Sequence, residues 1–384
     1  MSLPEHRQAI DVLDAQIVKL LNERTKHVLE IGALKVKAGQ EIYAPQRERA
    51  VFQKVTKLNK GPITDAGLRA IYREVMSASL SLEKSLAIAY LGPEATFTHQ
   101  AALKRFGASL CYVPQKTIAD VFHEVSKHRA DYGVVPVENS TEGVVTHTLD
   151  MFVDSDLKVV SQVVLRISHC FVSRHPRDQI KRIFVHPQTL GQCRNWLQRN
   201  FPNAVLRETS SNAESAQFAS DEPTDHTIKQ GKAGKTKKGE IFDPRMISGQ
   251  QLLSGAVTSE LAAQRYNLPI LEHDIQDNAA NATRFLVLGH QCPPPSGKGT
   301  DRTSLMFSIR DEAGALHRSL APFRRFRINM TKIESRPSKR KAWEYFFFVD
   351  CDGHAEDPKV AKAIAMLGQH CSFVKVLGSY PNSD

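Results

Sequence analysis

Leu86-Ala87-Ile88-Ala89-Tyr90-Leu91-Gly92-Pro93 is the stretch on which the fold turns. Before it, apolar residues recur at helical spacing. Within it they run without a break until Gly-Pro, the mark of a buried parallel strand. The change of period puts a domain boundary near residue 86. At 384 residues the chain has room for two to four domains, each with its own core.

Backward from that boundary the pattern is all helical. From Glu5 to about Lys37, the residues Ile10, Leu13, Ile17, Leu20, Ile31 and Leu34 recur at a spacing of about 3.5, which predicts one long helix of coiled-coil type. Arg24 falls on this apolar seam, where an unpaired charge costs stability, so it is a candidate ligand contact. On a helix, Lys35 points within about 20° of the same face, whereas Arg7 points roughly 100° away. One helix cannot aim all three at one site, and a second subunit could supply Arg7. A second helix starts at Pro45, with Arg47, Val51, Val55 and Leu58 on one stripe, and ends at Gly61-Pro62. Thr64 or Asp65 caps a third, whose stripe Leu68, Ile71, Val75 and Leu82 is interrupted by Ser79, with Glu83 one turn beyond. Three helices this long and thin cannot cover one another's apolar faces, so an intertwined homodimer is expected.

Forward from the boundary, strands at Tyr132 to Val137, Val159 to Val164, Ile183 to His186 and Phe285 to Leu288 alternate with helices such as 188 to 199. That is an α/β pattern with polar residues on loops at the strand ends, where open α/β sheets bind ligands. Residues 222 to 253 interrupt it with Lys229, Lys232, Lys235, Lys237 and Lys238 among glycines, and read as an exposed insertion. Pro293-Pro294-Pro295-Ser296-Gly297 reads as a linker. After it, a strand (Thr303 to Ile309), a helix (Leu316 to Phe326), a strand ending at Ile333, a return through Tyr345 to Val349, a helix (Pro358 to Gly368) and a strand (Phe373 to Leu377) give the ferredoxin-like order βαββαβ. The expected division is 1–86 all-α, 87–292 a two-lobed α/β unit, and 293–384 an α+β unit with its linker.

Bulk properties exclude several classes. The longest apolar run, Tyr345 to Val349, is too short to cross a bilayer, and Glu5, His6, Arg7 and Asp11 occupy the place of a signal-peptide core, so a cytoplasmic protein without membrane partners is expected. Six cysteines without a CxxC pair, and without histidines at ligand spacing, argue against a zinc site or a disulfide framework and predict buried free thiols. The net charge of +10 is spread along the chain without the stacking aromatics of a single-strand binder, so no nucleic-acid partner is expected. An acidic small substrate suits it.

Three polar motifs lie at strand ends in the α/β part: Pro136-Val137-Glu138-Asn139-Ser140, His186-Pro187-Gln188 and Asn281-Ala282-Thr283-Arg284-Phe285. In that order they resemble the prephenate dehydratases. The first ninety residues or so resemble an all-helical chorismate mutase and the last eighty or so an ACT regulatory domain. Nearly the whole chain thus resembles the bifunctional chorismate mutase/prephenate dehydratase family. The resemblance implies that Arg7, Arg24 and Arg47 bind substrate carboxylates, Lys35 the ether oxygen and Glu48 a hydroxyl, with Ser79 and Glu83 completing the mutase site. Chorismate rearranges by a pericyclic step in which the breaking ether bond gathers negative charge, so the enzyme needs fixed cations and donors rather than a nucleophile. Lys35 and a protonated Glu83 would supply them. Each residue alone reads as a solvated charge on a helix; the spacing of all seven favours function.

In the dehydratase part the resemblance implies that Thr283 protonates the departing hydroxyl while Asn139 and Gln188 orient prephenate. Glu138, Ser140, Arg284 and Phe285 belong to the same motifs and are implied substrate contacts. Prephenate loses carbon dioxide and hydroxide and gains an aromatic ring, which calls for a donor at the hydroxyl and a pocket favouring carboxylate loss, with no metal or cofactor. Alone, Thr283 would be a strand-edge threonine bonded to backbone and Gln188 a neighbour of a helix cap. In the last part, Gly314-Ala315-Leu316 and Glu334-Ser335-Arg336-Pro337 resemble the two segments that form a phenylalanine site between paired regulatory domains, which implies phenylalanine as effector. Two positions depart from the family pattern: Ala95 and Arg327 stand where relatives carry glycine usually or often. A rival class is a ligand-binding sensor, because two-lobed solute-binding proteins resemble the dehydratase fold and ACT domains serve many regulators. The mutase residues argue against it.

Overall fold

The computed structural model describes residues 2–221, 246–247, 250–251, 253–297, 299–310, 312–338 and 345–382. Most of the lysine-rich insertion expected at 222–253 lies outside the described residues.

The helical part is α1 (Leu3–Lys37), α2 (Pro45–Leu58) and α3 (Asp65–Glu83). Pro45 opens α2, where its missing N–H costs nothing, and the Thr64 hydroxyl caps α3 by accepting from the Gly67 N–H at 3.1 Å. The apolar seam of α1 stays open: Ile10, Leu13, Ile17, Leu20 and Leu34 are all more than half exposed, and Gly32 is the one buried residue of that helix.

The α/β part has two lobes. The first holds β1 (Ala87–Leu91), α4 (Phe97–Phe106), β2 (Cys111–Gln115), α5 (Ile118–Ser126), β3 (Tyr132–Asn139), β4 (Gly143–Val144), α6 (Thr146–Asp154) and β5 (Lys158–Arg166). The second runs through β6 (Cys170–Val172), β7 (Arg182–Val185), α7 (Pro187–Gln192), α8 (Arg194–Asn200), β8 (Val205–Glu208), α9 (Asn212–Ser220), the short pair β9 (Met246–Ile247) and β10 (Gln250–Gln251), β11 (Ser254–Thr258), α10 (Glu260–Arg265) and β12 (Ile270–Glu272). The chain then returns to the first lobe as β13 (Ala282–Gly289). β1 is buried and parallel to both neighbours, as its continuous apolar run requires, whereas β13 is antiparallel to β3 and β5. The first sheet, ordered β2-β1-β3-β13-β5, is therefore mixed; the second is ordered β12-β6-β11-β7-β8. The single helix expected over 188–199 is two, broken at Cys193, whose φ of −120° leaves the helical region.

The last part is β14 (Asp301–Ser308), α11 (Ala315–Arg325), β15 (Met330–Pro337), β16 (Tyr345–Asp352), α12 (Pro358–His370) and β17 (Phe373–Pro381), with sheet order β15-β16-β14-β17. β15 extends past Ile333 through Glu334-Ser335-Arg336-Pro337 because it is an edge strand, whose alternate residues face solvent and tolerate polar side chains. This unit is not a bead on a string. Val159, Leu286 and Leu288 of the first sheet share one core with Met306, Phe346, Phe348 and Leu377. A Cβ on Gly378 would lie 2.1 Å from the Val159 carbonyl oxygen, so only glycine lets β17 approach β5 this closely.

Three cysteines, Cys170, Cys193 and Cys351, are buried, but Cys111 and Cys292 are exposed, which corrects the expectation of uniformly buried thiols. The two departures from the family's glycine pattern both fall in left-handed backbone: Ala95 has φ +63° and Arg327 φ +55°. Among the described residues no helix is long and apolar enough to cross a membrane.

Candidate active sites

A cavity of about 390 Å³ in the helical part is lined by Arg24 and Lys35 from α1, Arg47 and Glu48 from α2, and Ser79 and Glu83 from α3. Arg24 and Lys35 share a face, as their spacing requires. The Arg24 guanidinium donates to the Ser79 hydroxyl at 3.0 Å, and the Lys35 ammonium donates to the Ile42 carbonyl at 2.6 Å, so both cations are held before any ligand arrives. Glu83 Oε2 is buried and has no hydrogen-bond partner among the described residues. Burial raises the Glu83 pKa, against the lowering pull of Lys35 and then Arg24. A raised carboxyl with an open oxygen is a candidate donor.

Sequence reading gave no role to Gly32. A Cβ there would lie 2.8 Å from Glu83 Oε2, so glycine lets the carboxyl rest against α1. The available signal was a glycine inside a long helix, which costs about 0.5–1 kcal/mol relative to alanine unless close packing requires it.

Two expected members stand differently. Glu48 lines the cavity, but its Oε2 already holds Arg73 at 3.2 Å and Arg105, from α4 of the α/β part, at 3.3 Å. Arg105 is itself bonded to the Tyr43 hydroxyl. Arg7 is exposed and lies roughly 26 Å along α1 from Arg24, so within one chain it is absent from the cavity.

The second constellation sits where the two lobes meet. Thr283 on β13 is registered opposite Asn139 on β3, and both are buried. The Asn139 side-chain amide donates to the Thr283 hydroxyl oxygen at 2.8 Å and to Oδ1 of the Asn281 side chain at 2.9 Å, while its own Oδ1 accepts from the N–H groups of Thr141 and Glu142 at 2.8 and 2.9 Å. Both ends of that amide are fixed. The Asn281 side-chain amide donates to Oε1 of the Gln192 side chain at 3.0 Å, and that oxygen lies 2.9 Å from His169 Nε2. Burial lowers the His169 pKa, against the raising hydrogen bond to Gln192, which favours the uncharged ring, and the Gln192 side-chain oxygen can only accept from Nε2.

The structure corrects several implied contacts here. Gln188 is exposed and stands outside this network, whereas Gln192, one turn further along α7 and on the same face, is bonded within it. Phe285 is almost wholly buried in the sheet core and faces no cleft. Ser140 exchanges hydrogen bonds with the Ala282 backbone, tying the two motifs together rather than presenting its hydroxyl. Glu138 and Arg284 point to the opposite side of their strands, toward the last domain: Arg284 meets Glu138 at 2.9 Å and Asp350 at 2.7 Å. Strand alternation explains it, since neighbours of cleft-facing residues face away. Asn281, Gln192 and His169 had no assigned role; Asn281 stood inside a quoted motif and Gln192 four residues after Gln188.

In the last domain Gly314 adopts φ +77° at the start of α11, and Glu334 to Pro337 lie on the edge strand β15. Arg336 is paired with Asp150 of α6 at 3.4 Å. Among the described residues no hydrogen bond or ion pair joins Gly314, Ala315 or Leu316 to the 334–337 segment within one chain.

Together these features define a multidomain protein with a helical mutase-type cavity, a two-lobed dehydratase-type cleft and an ACT-type domain. Known proteins match in the same order. The family model for chorismate mutase type II matches residues 6–84, that for prephenate dehydratase 88–293, and that for the ACT domain 303–368. The chain is 45% identical over 386 residues to the bifunctional chorismate mutase/prephenate dehydratase of Aquifex aeolicus, covering 99% of this chain and 98% of the relative. It is 42% identical to that of Neisseria gonorrhoeae, covering 98% and 96%. A solved prephenate dehydratase from Arthrobacter aurescens, in complex with L-Phe, superposes with a TM-score of 0.66 at 30% identity over 77% of this chain and 90% of that one. The chain belongs to the bifunctional chorismate mutase/prephenate dehydratase family.

Proposed function

We propose that the chain converts chorismate to prephenate in the helical domain and prephenate to phenylpyruvate at the junction of the two lobes, under feedback by phenylalanine. The observation that carries this reading is the convergence of Arg24, Lys35, Arg47, Ser79 and Glu83, from three helices, on one cavity. A ligand-binding sensor has no use for that cavity. Arg24 and Arg47 grip substrate carboxylates, while Lys35 and neutral Glu83 donate to the ether oxygen as it gains charge. In the second site the Thr283 oxygen accepts from Asn139 and makes no other hydrogen bond among the described residues, which leaves its proton for the departing hydroxyl. The hydroxyl leaves as water, the carboxylate as carbon dioxide, and the electrons of the broken C–C bond complete the aromatic ring.

The working unit is a cytoplasmic homodimer, divided in each chain at about residues 86 and 292, and needing no metal or cofactor. The open seam of α1 and the absence of Arg7 from the cavity support the dimer: a second copy would cover the one and supply the other. Phenylalanine would sit between two regulatory domains, one giving Gly314, Ala315 and Leu316 and its partner Glu334, Ser335, Arg336 and Pro337. A coupled assay of chorismate consumption and phenylpyruvate release, with and without phenylalanine, tests the reading. Mixing Arg7→Ala and Arg24→Ala chains tests the shared site. Each variant alone is inactive as a mutase, and exchange of subunits restores one intact site per mixed dimer.

A further inference from the structure

Two neighbouring strands send alternate residues in opposite directions, and both directions are occupied. Thr283 pairs with Asn139 on the side of the lobe junction, while the next registered pair, Arg284 with Glu138, turns to the regulatory domain. There it meets a third registered pair, Lys332 of β15 and Asp350 of β16. The four charges alternate in one chain of contacts: Asp350 to Arg284 at 2.7 Å, Arg284 to Glu138 at 2.9 Å, Glu138 to Lys332 at 3.0 Å. The side chains of Arg284, Asp350 and Lys332 are only 12%, 10% and 12% exposed. The other oxygen of Asp350 accepts from Ser304 at 2.5 Å, and Ser304 lies 2.7 Å from the Tyr380 hydroxyl, so the quartet is fastened to the regulatory sheet. Removing Asp350 or Lys332 leaves Arg284 and Glu138, the latter 38% exposed, paired with each other but without one of the two outer charges that hold that pair to the regulatory sheet, and Arg284 is too poorly solvated for water to replace the lost partner.

We infer that Lys332 and Asp350 are positioning residues for the dehydratase: they fix Glu138 and Arg284, and through one step of strand register they fix the hydroxyl of Thr283 against Asn139. Neither touches substrate. Their effect reaches the site because Thr283 and Arg284 share one stretch of backbone, as do Asn139 and Glu138, so neither strand can shift without moving both side chains. Proton transfer depends on donor position to fractions of an ångström, whereas binding the rest of the substrate does not. This inference rests on the dehydratase reading above.

The test uses the full chain with Asp350→Asn, Lys332→Met, the pair combined, and the conservative Lys332→Arg. In the first two, dehydratase kcat falls about tenfold or more while KM for prephenate stays within about threefold, and mutase kcat/KM is unchanged. The combined variant loses no more than the worse single one, because the quartet acts as a unit, and Lys332→Arg restores most of the loss. A kcat within about twofold of the unaltered chain in both single variants overturns the inference. So does a parallel loss of mutase turnover, which would mark a general scaffold role. If the unaltered chain fails to consume prephenate, the functional reading falls first, and that result is visible before any variant is made.

Discussion

Helix α1 leaves Ile10, Leu13, Ile17 and Leu20 more than half exposed, whereas Leu286, Leu288, Met306 and Phe348 are sealed between the dehydratase sheet and the regulatory sheet. The charged residues follow the same division. Among the described residues the mutase cavity lacks Arg7 and holds a carboxyl oxygen with no hydrogen-bond partner, while beside the dehydratase site four charges link into one network inside a single chain. The difference teaches that an apolar face and a polar site are completed by the same body. Where the core is shared within the chain, so is the site. Where the helix waits for a cover, the site waits for an arginine.

The widest break between the two regions would come from their chemistry. Thr283→Ala should lower dehydratase kcat by about a hundredfold or more and spare the mutase, and Arg24→Ala should do the reverse. Loss of both activities from either change in a folded protein would join what the comparison separates.

A finer cut is Gly32→Ala. The added methyl meets Glu83 Oε2 at 2.8 Å, so mutase kcat/KM should fall by about tenfold or more while dehydratase turnover holds. Alanine is the better helix former by about 1 kcal/mol, so the thermal midpoint should not drop. A midpoint falling in step with mutase activity would count against a local push on Glu83.

The pH response sharpens the contrast further. Burial holds the Glu83 pKa above the usual carboxyl range despite Lys35 and Arg24, so its proton persists to higher pH than on a free carboxyl. Donation to the ether oxygen is available below that raised pKa and is lost as pH rises through it. Mutase kcat/KM should therefore decline toward alkaline pH, and Glu83→Gln, which keeps a donor at every pH, should flatten that limb without altering the dehydratase profile. The same alkaline decline in both proteins would remove Glu83 from the role.

The smallest effect belongs to the regulatory part. Arg327 is exposed and left-handed, so Arg327→Gly should raise stability by about 1 kcal/mol or less and leave both activities unchanged. Denaturant midpoints measure it, and a loss of stability would show that the arginine side chain holds something at that turn.

Long-range periodicity was readable in the chain alone. α1, α2, α3 and the βαββαβ order follow from apolar spacing, and β1 from its unbroken run. Local details were not. The break at Cys193 follows Gly191 by two residues, but a lone glycine inside a helical pattern does not by itself mark a break, and the extension of β15 through Glu334 to Pro337 is polar in composition, which only an edge position permits. Resemblance brought Glu138 and Arg284 to the right strands but not to the right face, because a motif names neighbours together while a strand sends them apart; Phe285, two residues past Thr283, shares its face but is sunk in the core.

What the sequence determined by itself was the kind of element at each stretch and the kind of group each site needs, since period and side-chain chemistry are properties of the chain. Tertiary structure decided which of those groups meet. It chose Gln192 over Gln188, turned Arg284 away from the cleft and toward Asp350, pressed Gly32 against Glu83, and set the direction of the Glu83 pKa. Facing, burial and pairing depend on what packs from elsewhere in the molecule, and no local run of residues contains that information.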